Sequence, residues 1–273
     1  MCRVLKVSRS GFYRWARDEE SKRATKDREL SASIREFFEK SRDTYGSRRI
    51  RRNLFTAGKR VGRKRVRRLM KALGLRPKCK KPFRVCTTDS KHGFAPSPNL
   101  LNREFAVDTL NTVYLSDLTY IRTGEGWLYL TTVMDMCSRL IVGWSMSKTM
   151  ETSMTTIPAL EMALGRRSVS PGLIFHSDRG VQYAERNFRK LIDAHGINQS
   201  MSRKGNCWDN APAESFFHTL KTELDESFAS REEARAGLFD YIEMYYNRIR
   251  LHSSIGYMSP ADFEAAAAEI AAA

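Results

Sequence analysis

The sequence predicts an α/β fold, a mixed sheet with flanking helices, preceded by a small all-α region of helix-turn-helix character. Three observations carry that prediction. The excess of basic charge is confined to the first hundred residues. Up to Gly74 the apolar pattern has helical spacing only. From Thr112 onward, three runs of β-forming residues precede alternating helical and short strand-like stretches.

The 273 residues are 41% hydrophobic and 29% charged, enough for a core and against wholesale disorder. No run of about 18 apolar residues occurs, and Met1 to Lys6 lacks the apolar stretch of a secretory leader. A cytoplasmic protein with no membrane partner is expected. Cys2, Cys79, Cys86, Cys137 and Cys207 are odd in number and form no C-x-x-C pair, against a disulfide framework or a zinc finger. Cys79, Cys86 and His92 make only a partial metal set.

Residues 1–100 carry 30 Lys and Arg against 9 Asp and Glu, a net of +21 within an overall +16. Between Arg48 and Arg84, 17 of 37 residues are basic and none is acidic. Arg predominates there, and its planar fork matches phosphate oxygens. Such a block points to a polyanion, here nucleic acid, with salt-dependent binding. A charged face that merely aids solubility is the competing reading.

The elements follow in order. Ser8 caps a short helix through Ala16. A helix over 27–40 has Leu30, Ile34, Phe37 and Phe38 on one face. Tyr45-Gly46-Ser47 opens the next, with Ile50, Leu54 and Phe55 at helical spacing and Gly58 as its stop. A third buries Val66, Leu69, Met70 and Leu73 and ends at Gly74. Its outward face is Arg63, Lys64, Arg65, Arg67, Arg68 and Lys71. Two short helices about a Gly-bearing turn, the second basic, suit a helix-turn-helix. A generic helical hairpin has the same periodicity.

Residues 76–110, with four prolines, read as a linker. Strands are expected over 113–121, 127–134 and 140–146, then a helix over 151–164. A short strand at 173–175, a helix at 187–195, a short strand at 197–200 and helices at 212–224 and 232–248 complete the pattern. The βββαβαβα order is that of the ribonuclease H-like fold. The expected divisions are a basic helical region 1–75, the linker 76–110, a catalytic core 111–228 and a helical extension 229–273. The Ala-rich tail favours helix.

Three acids stand out. Asp117 interrupts an apolar strand, a costly placement unless the charge is paired or metal-bound. Asp178 follows Leu173-Ile174-Phe175 in the string His176-Ser177-Asp178-Arg179-Gly180, at a strand end where α/β sheets place chemistry. Glu214 lies in the first turn of a helix entered at Ala211-Pro212, with His218 and Lys221 further along its face. Taken singly, each fits an ordinary role equally well: a solvent-facing strand acid, a turn residue, or an acid at a helix N-terminus.

Together these strings carry a resemblance. Ser116-Asp117-Leu118-Thr119-Tyr120, His176 to Tyr183 and Asn210 to Lys221 resemble the core motifs of bacterial insertion-sequence transposases of the IS-three group. That group is related to retroviral integrases. The 35 residues between Asp178 and Glu214 match its spacing. Ser200 to Asn210 resembles the loop before its catalytic helix, and Tyr45 to Ile50 its upstream helix-turn-helix segment. Tyr245-Asn247-Arg248 with Leu251-His252 resembles its C-terminal close. Tyr114 stands where the group often has Trp.

The resemblance implies an integrase catalytic core that cleaves DNA and transfers strands. Asp117, Asp178 and Glu214 would be catalytic and would hold two Mg²⁺ ions, with Mn²⁺ as substitute, Asp117 bridging both. Water or a 3′-hydroxyl would attack a phosphodiester in line, without a covalent protein–DNA intermediate. His176 would lie behind the ligands. The expected DNA contacts are Arg48, Arg49, Arg63, Lys64, Arg65, Arg67, Arg68, Arg203, Lys204, His218 and Lys221. Trp208 would stack on a base or pack on the core. Partners would be transposon ends, target DNA, further copies of the chain and the product of an upstream frame, in the nucleoid. The chain begins without that upstream segment and is expected to be the second frame alone. Rival classes are a catalytically silent DNA-binding regulator, a ribonuclease H-type nuclease and a structural nucleoid protein.

Overall fold

A computed structural model describes residues 2–17, 20–78, 96–204, 206–224 and 227–272. Cys79, Cys86, His92 and residues 79–95 of the expected linker lie outside the described residues. The chain divides into two compact units, Met1–Lys78 and Cys79–Ala273.

The first unit is helical: α1 (Arg9–Ala16), α2 (Lys22–Lys40), α3 (Ser47–Thr56) and α4 (Arg63–Ala72). Ser8 and Ser21 cap α1 and α2, their hydroxyls accepting from the Gly11 and Ala24 N–H groups. Ile34 and Phe38 of α2, Ile50 and Leu54 of α3, and Val66, Leu69 and Met70 of α4 are buried. Arg48, Arg51 and Arg52 of α3 and Arg63, Lys64, Arg67 and Arg68 of α4 are thereby exposed, while Arg49 and Arg65 are half-buried. Gly58 and Gly74 end α3 and α4 at φ 75° and 69°. In each case the amide after the glycine reaches back to Leu54 or Met70, which satisfies a carbonyl that the helix leaves open.

The second unit holds a five-stranded sheet in the order β3-β2-β1-β4-β5. Its strands are β1 (Val113–Thr123), β2 (Gly126–Asp135), β3 (Ile141–Ser147), β4 (Ile174–Ser177) and β5 (Asn198–Met201). The first three form an antiparallel meander, and β4 and β5 add in parallel. Helices α5 (Thr156–Arg166), α6 (Val181–Ala184) and α7 (Arg186–Ala194) accompany one face. There Tyr114, Val142, Leu160, Phe175, Tyr183 and Phe188 pack together. On the other face, α8 (Ala211–Glu223) and α9 (Arg231–Phe239) close over Ile121, Leu128, Leu130 and Met134 with Phe216, Phe217, Leu220 and Leu238. Alternate residues of one strand thus feed two cores, and the sheet is covered on both sides.

The expected continuous helix over 232–248 differs. After Phe239 the backbone widens into a π-helical stretch, Asp240–Tyr246, which buries Tyr241, Ile242, Tyr245 and Tyr246. Asn247 then pairs edge strand β3 by donating to the Ile141 carbonyl and accepting from its N–H. α10 (Pro260–Ala272) follows, tied by Glu264 to Ser138 and Arg167. Residues 96–112 form neither helix nor strand, yet Leu101, Phe105 and Val107 pack on the core with Leu115 and Ala213. No helix among the described residues is long and apolar enough to cross a membrane.

Candidate functional site

The topology gathers the three acids. β1 and β4 lie side by side with Leu115 level with His176. Asp117 and Asp178 each follow two residues later, so the parallel register brings them level, Asp117 midway along β1 and Asp178 just past the end of β4. Leu115 packs with Ala213 of α8, and Ile121 with Phe216 and Phe217. Asp117 lies between those two on the same face, beneath α8. Glu214 immediately follows Ala213.

Their electrostatics couple them. Burial raises the Asp117 carboxyl well above its ordinary range, and the charges of Asp178 and Glu214 add to the rise. Burial also raises Glu214, with Asp178 again contributing. Like charges disfavour a second and third ionisation in one neighbourhood. Lys221, one face along α8, works against the rise at Asp117 and stands 5.0 Å from the Tyr120 ring. Asp117 accepts the Leu118 N–H at 2.8 Å, and Asp178 accepts the Gly180 N–H at 2.9 Å. Three hard oxygen donors whose charges repel one another fit a divalent cation. Among the described residues no three His, Cys, Asp or Glu side chains stand close enough together, as placed, to hold a metal ion.

The residues around the acids are polar and hydrogen-bonded to one another. His176 is buried, Nδ1 2.8 Å from Ser200 Oγ and Nε2 3.2 Å from Ser202 Oγ. Burial pushes its pKa down to about 4, so the ring is neutral at pH 7. Tyr183 of α6 places its hydroxyl 2.8 Å from Ser116 Oγ, directly beside Asp117 in the chain. Asn210 donates to the Ser116 carbonyl and fixes the start of α8 to β1.

Asp209 is buried and accepts from Asn99, Arg103 and Arg203. Neither Tyr183 nor Asp209 is evident as a site residue from sequence. Tyr183 reads as an aromatic in a polar string, and two of the partners of Asp209, Asn99 and Arg103, come from more than a hundred residues upstream.

The expected DNA contacts fall into groups. Arg48, Arg63, Lys64, Arg67, Lys204 and His218 are exposed. Arg65 and Arg68 both pair with Asp27 of α2, and Arg49 stacks on Tyr45. Arg203 is paired with Asp209. Trp208 is 68% exposed and does not pack on the core.

Similarity to known proteins is consistent with these features. An integrase core domain model matches residues 109–207, a second integrase core domain model matches 214–267, and an HTH-like domain model matches 25–83. The chain is 46% identical to the insertion element IS600 uncharacterized 31 kDa protein of Shigella sonnei, over 96% of this chain and 97% of that one. It is 42% identical to transposase InsF for insertion sequence IS3A of Escherichia coli (strain K12), over 97% of this chain and 92% of that one. Among solved structures, one chain of the simian T-cell lymphotropic virus intasome in complex with PP2A regulatory subunit B56 gamma aligns with a TM-score of 0.49 at 14% identity. That alignment covers 64% of this chain and 60% of that one.

Sheet, flanking helices and paired integrase models define the class, a polynucleotidyl transferase with a ribonuclease H-like integrase core. The chain belongs to the IS3 family of insertion-sequence transposases. It is a DDE transposase.

Proposed function

We propose that Asp117, Asp178 and Glu214 form the catalytic site and would hold two Mg²⁺ ions, with Mn²⁺ able to substitute. The observation that carries this reading is the parallel β1–β4 register beneath α8, which brings Asp117, Asp178 just past β4, and Glu214 of α8 close enough for their charges to act on one another. Bound ions would supply Lewis-acid stabilisation of the phosphodiester and a more acidic water nucleophile. The chain's own residues do the rest. The three carboxylates concentrate negative charge at the end of β4. His176 stays neutral and holds Ser200 and Ser202 behind Asp178. Lys221 and His218 line the outward side of α8 for the DNA backbone.

In hydrolysis, water attacks phosphorus in line, the bond to the 3′-oxygen breaks, and a 3′-hydroxyl and a 5′-phosphate result. In transfer, that 3′-hydroxyl attacks a phosphodiester of the target and one strand bond replaces another. Arg48, Arg49, Arg63, Lys64, Arg65, Arg67 and Arg68 of the N-terminal unit bind DNA backbone. Arg203 and Lys204 grip the strand beside the acids. The division of labour follows residues 1–75, 76–110, 111–228 and 229–273. The partners are transposon ends, target DNA, further copies of the chain and an upstream-frame product, in the bacterial cytoplasm at the nucleoid.

A cleavage and joining assay on end-bearing DNA tests this. Mg²⁺ titration of the wild type should give cleavage that Asp178→Ala abolishes while DNA binding persists. Equal activity in both proteins overturns the assignment.

A further inference from the structure

Asp209 is buried and charged, yet it stands apart from the acid cluster. Its oxygens are spent on cations and amides. Oδ1 accepts from Arg103 Nε at 2.8 Å and Arg203 Nη2 at 2.8 Å. Oδ2 accepts from Asn99 Nδ2 at 3.0 Å, from the Arg203 N–H at 2.9 Å and from Arg203 Nε at 2.9 Å. Both carboxylate oxygens are thereby occupied, so metal ligation is not its role. Arg203's guanidinium holds its carboxyl well below the usual carboxylate range, against the effect of burial, and Arg103 adds to this. A buried carboxylate is tolerable only when it is paired this fully.

The segments it joins are the informative part. Asn99 and Arg103 belong to the stretch ahead of the sheet, which is itself bound to β5. There Ser97 meets Gln199, the Pro98 carbonyl accepts the Met201 N–H, and the Leu100 N–H donates to Ser200 Oγ. Ser200 Oγ is also the partner of His176 Nδ1, two residues before Asp178. Arg203 sits in the loop after β5. Asp209 itself lies two residues before α8 and five before Glu214. The adjacent Asn210 holds the Ser116 carbonyl, one residue before Asp117. The elements that carry all three acids therefore converge on residues 209 and 210.

We propose that Asp209 is a positioning residue for the transposase reaction: its ion cluster with Arg103 and Arg203 fixes the entry to α8, and so fixes where Glu214 stands relative to Asp117 and Asp178. Arg203 then anchors Asp209 in addition to lining the strand path proposed above. Arg103, outside every sequence motif, becomes part of the catalytic framework. This inference rests on the three-acid reading above. It differs from a plain loop staple in one respect. A staple affects stability, whereas a positioning residue affects metal affinity in protein that is still folded.

The test measures Mn²⁺ binding to the full chain without DNA, by loss of the free-ion electron paramagnetic resonance signal, alongside the thermal midpoint. Wild type, Asp178→Asn, Asp209→Asn, Arg103→Gln and Gly143→Ala are compared. Gly143→Ala disturbs the β3–α5 contact and serves as a control for lost stability alone. Asp209→Asn should bind Mn²⁺ about tenfold more weakly, the effect size of outer-shell partners. Arg103→Gln should move the same way by less, because the Arg203 fork remains, and Gly143→Ala should bind as wild type does. Folded Asp209→Asn with wild-type affinity overturns the inference and leaves the three-acid site standing. If Asp209→Asn does not fold, unchanged affinity in Arg103→Gln overturns it in the same way. Equal Mn²⁺ binding by wild type and Asp178→Asn overturns both readings.

Discussion

At the scale of single residues, burial and hydrogen bonding decide what each side chain does. His176 is the clearest case. Its ring is neutral in the fold because burial pushes its pKa from 6.5 to about 4. Above pH 6.5 the folded and unfolded chains carry the same charge there. Below it, the unfolded chain takes a proton that the folded chain refuses until about pH 4. Stability should therefore fall as pH drops through that window, by up to ~3 kcal/mol from this group. Urea midpoints at pH 7.5 and pH 5 would measure the fall, and His176→Gln should reduce it. An identical fall in the variant would show that another group is responsible.

Asp117, Asp178 and Glu214 were singled out in the sequence by the strings around them and the 35-residue spacing taken together, since each acid alone fits an ordinary strand, turn or helix-start role. Asp209 was not legible. It lies in a polar string, and nothing local shows that Asn99 and Arg103 will fold back onto it.

At the scale of elements, strands and helices were readable wherever periodicity ran long enough. The meander emerged from β-branched and aromatic runs, and α8 from its Pro-bearing start. α6 has four residues, too few to show a period. The π-helical stretch escaped because Tyr241, Ile242, Tyr245 and Tyr246 read as an ordinary helical face, while tertiary packing widens the turn to bury all four. Two joints between elements invite tests. Glu223 at the end of α8 accepts three bonds from Arg250 and one from Tyr241, with the ion pair almost wholly buried. Glu223→Gln would leave the Arg250 charge buried without its counter-ion and should cost roughly 3–5 kcal/mol in chemical denaturation. A loss below about 1 kcal/mol would mean that water reaches the pair. At Gly143, an added methyl would overlap the Ala159 carbonyl and meet Ala163 Cβ at 2.9 Å. Gly143→Ala should cost about 1–3 kcal/mol by forcing β3 and α5 apart.

At the scale of the whole molecule, charge is segregated from chemistry. Residues 1–100 carry the basic excess, and the acids sit in the sheet unit. The ordering follows from burial: helices α2, α3 and α4 spend their apolar faces on one another and turn Arg63, Lys64 and Arg67 outward. DNA affinity should therefore fall steeply with salt. Arg63→Gln, Lys64→Gln and Arg67→Gln combined should reduce the slope of log affinity against log salt by about 2–3. Binding curves at several salt concentrations measure this, and an unchanged slope would remove α4 from the DNA-binding surface.

The most direct test of the central claim is non-additivity at the three acids. Cleavage of end-bearing DNA in Mg²⁺ is measured for Asp117→Asn, Asp178→Asn and Glu214→Gln singly and for the triple variant, each checked for retained DNA binding. Groups that act as one metal site should each lose nearly as much activity alone as all three do together. A single variant that cleaves at close to the wild-type rate would contradict the account.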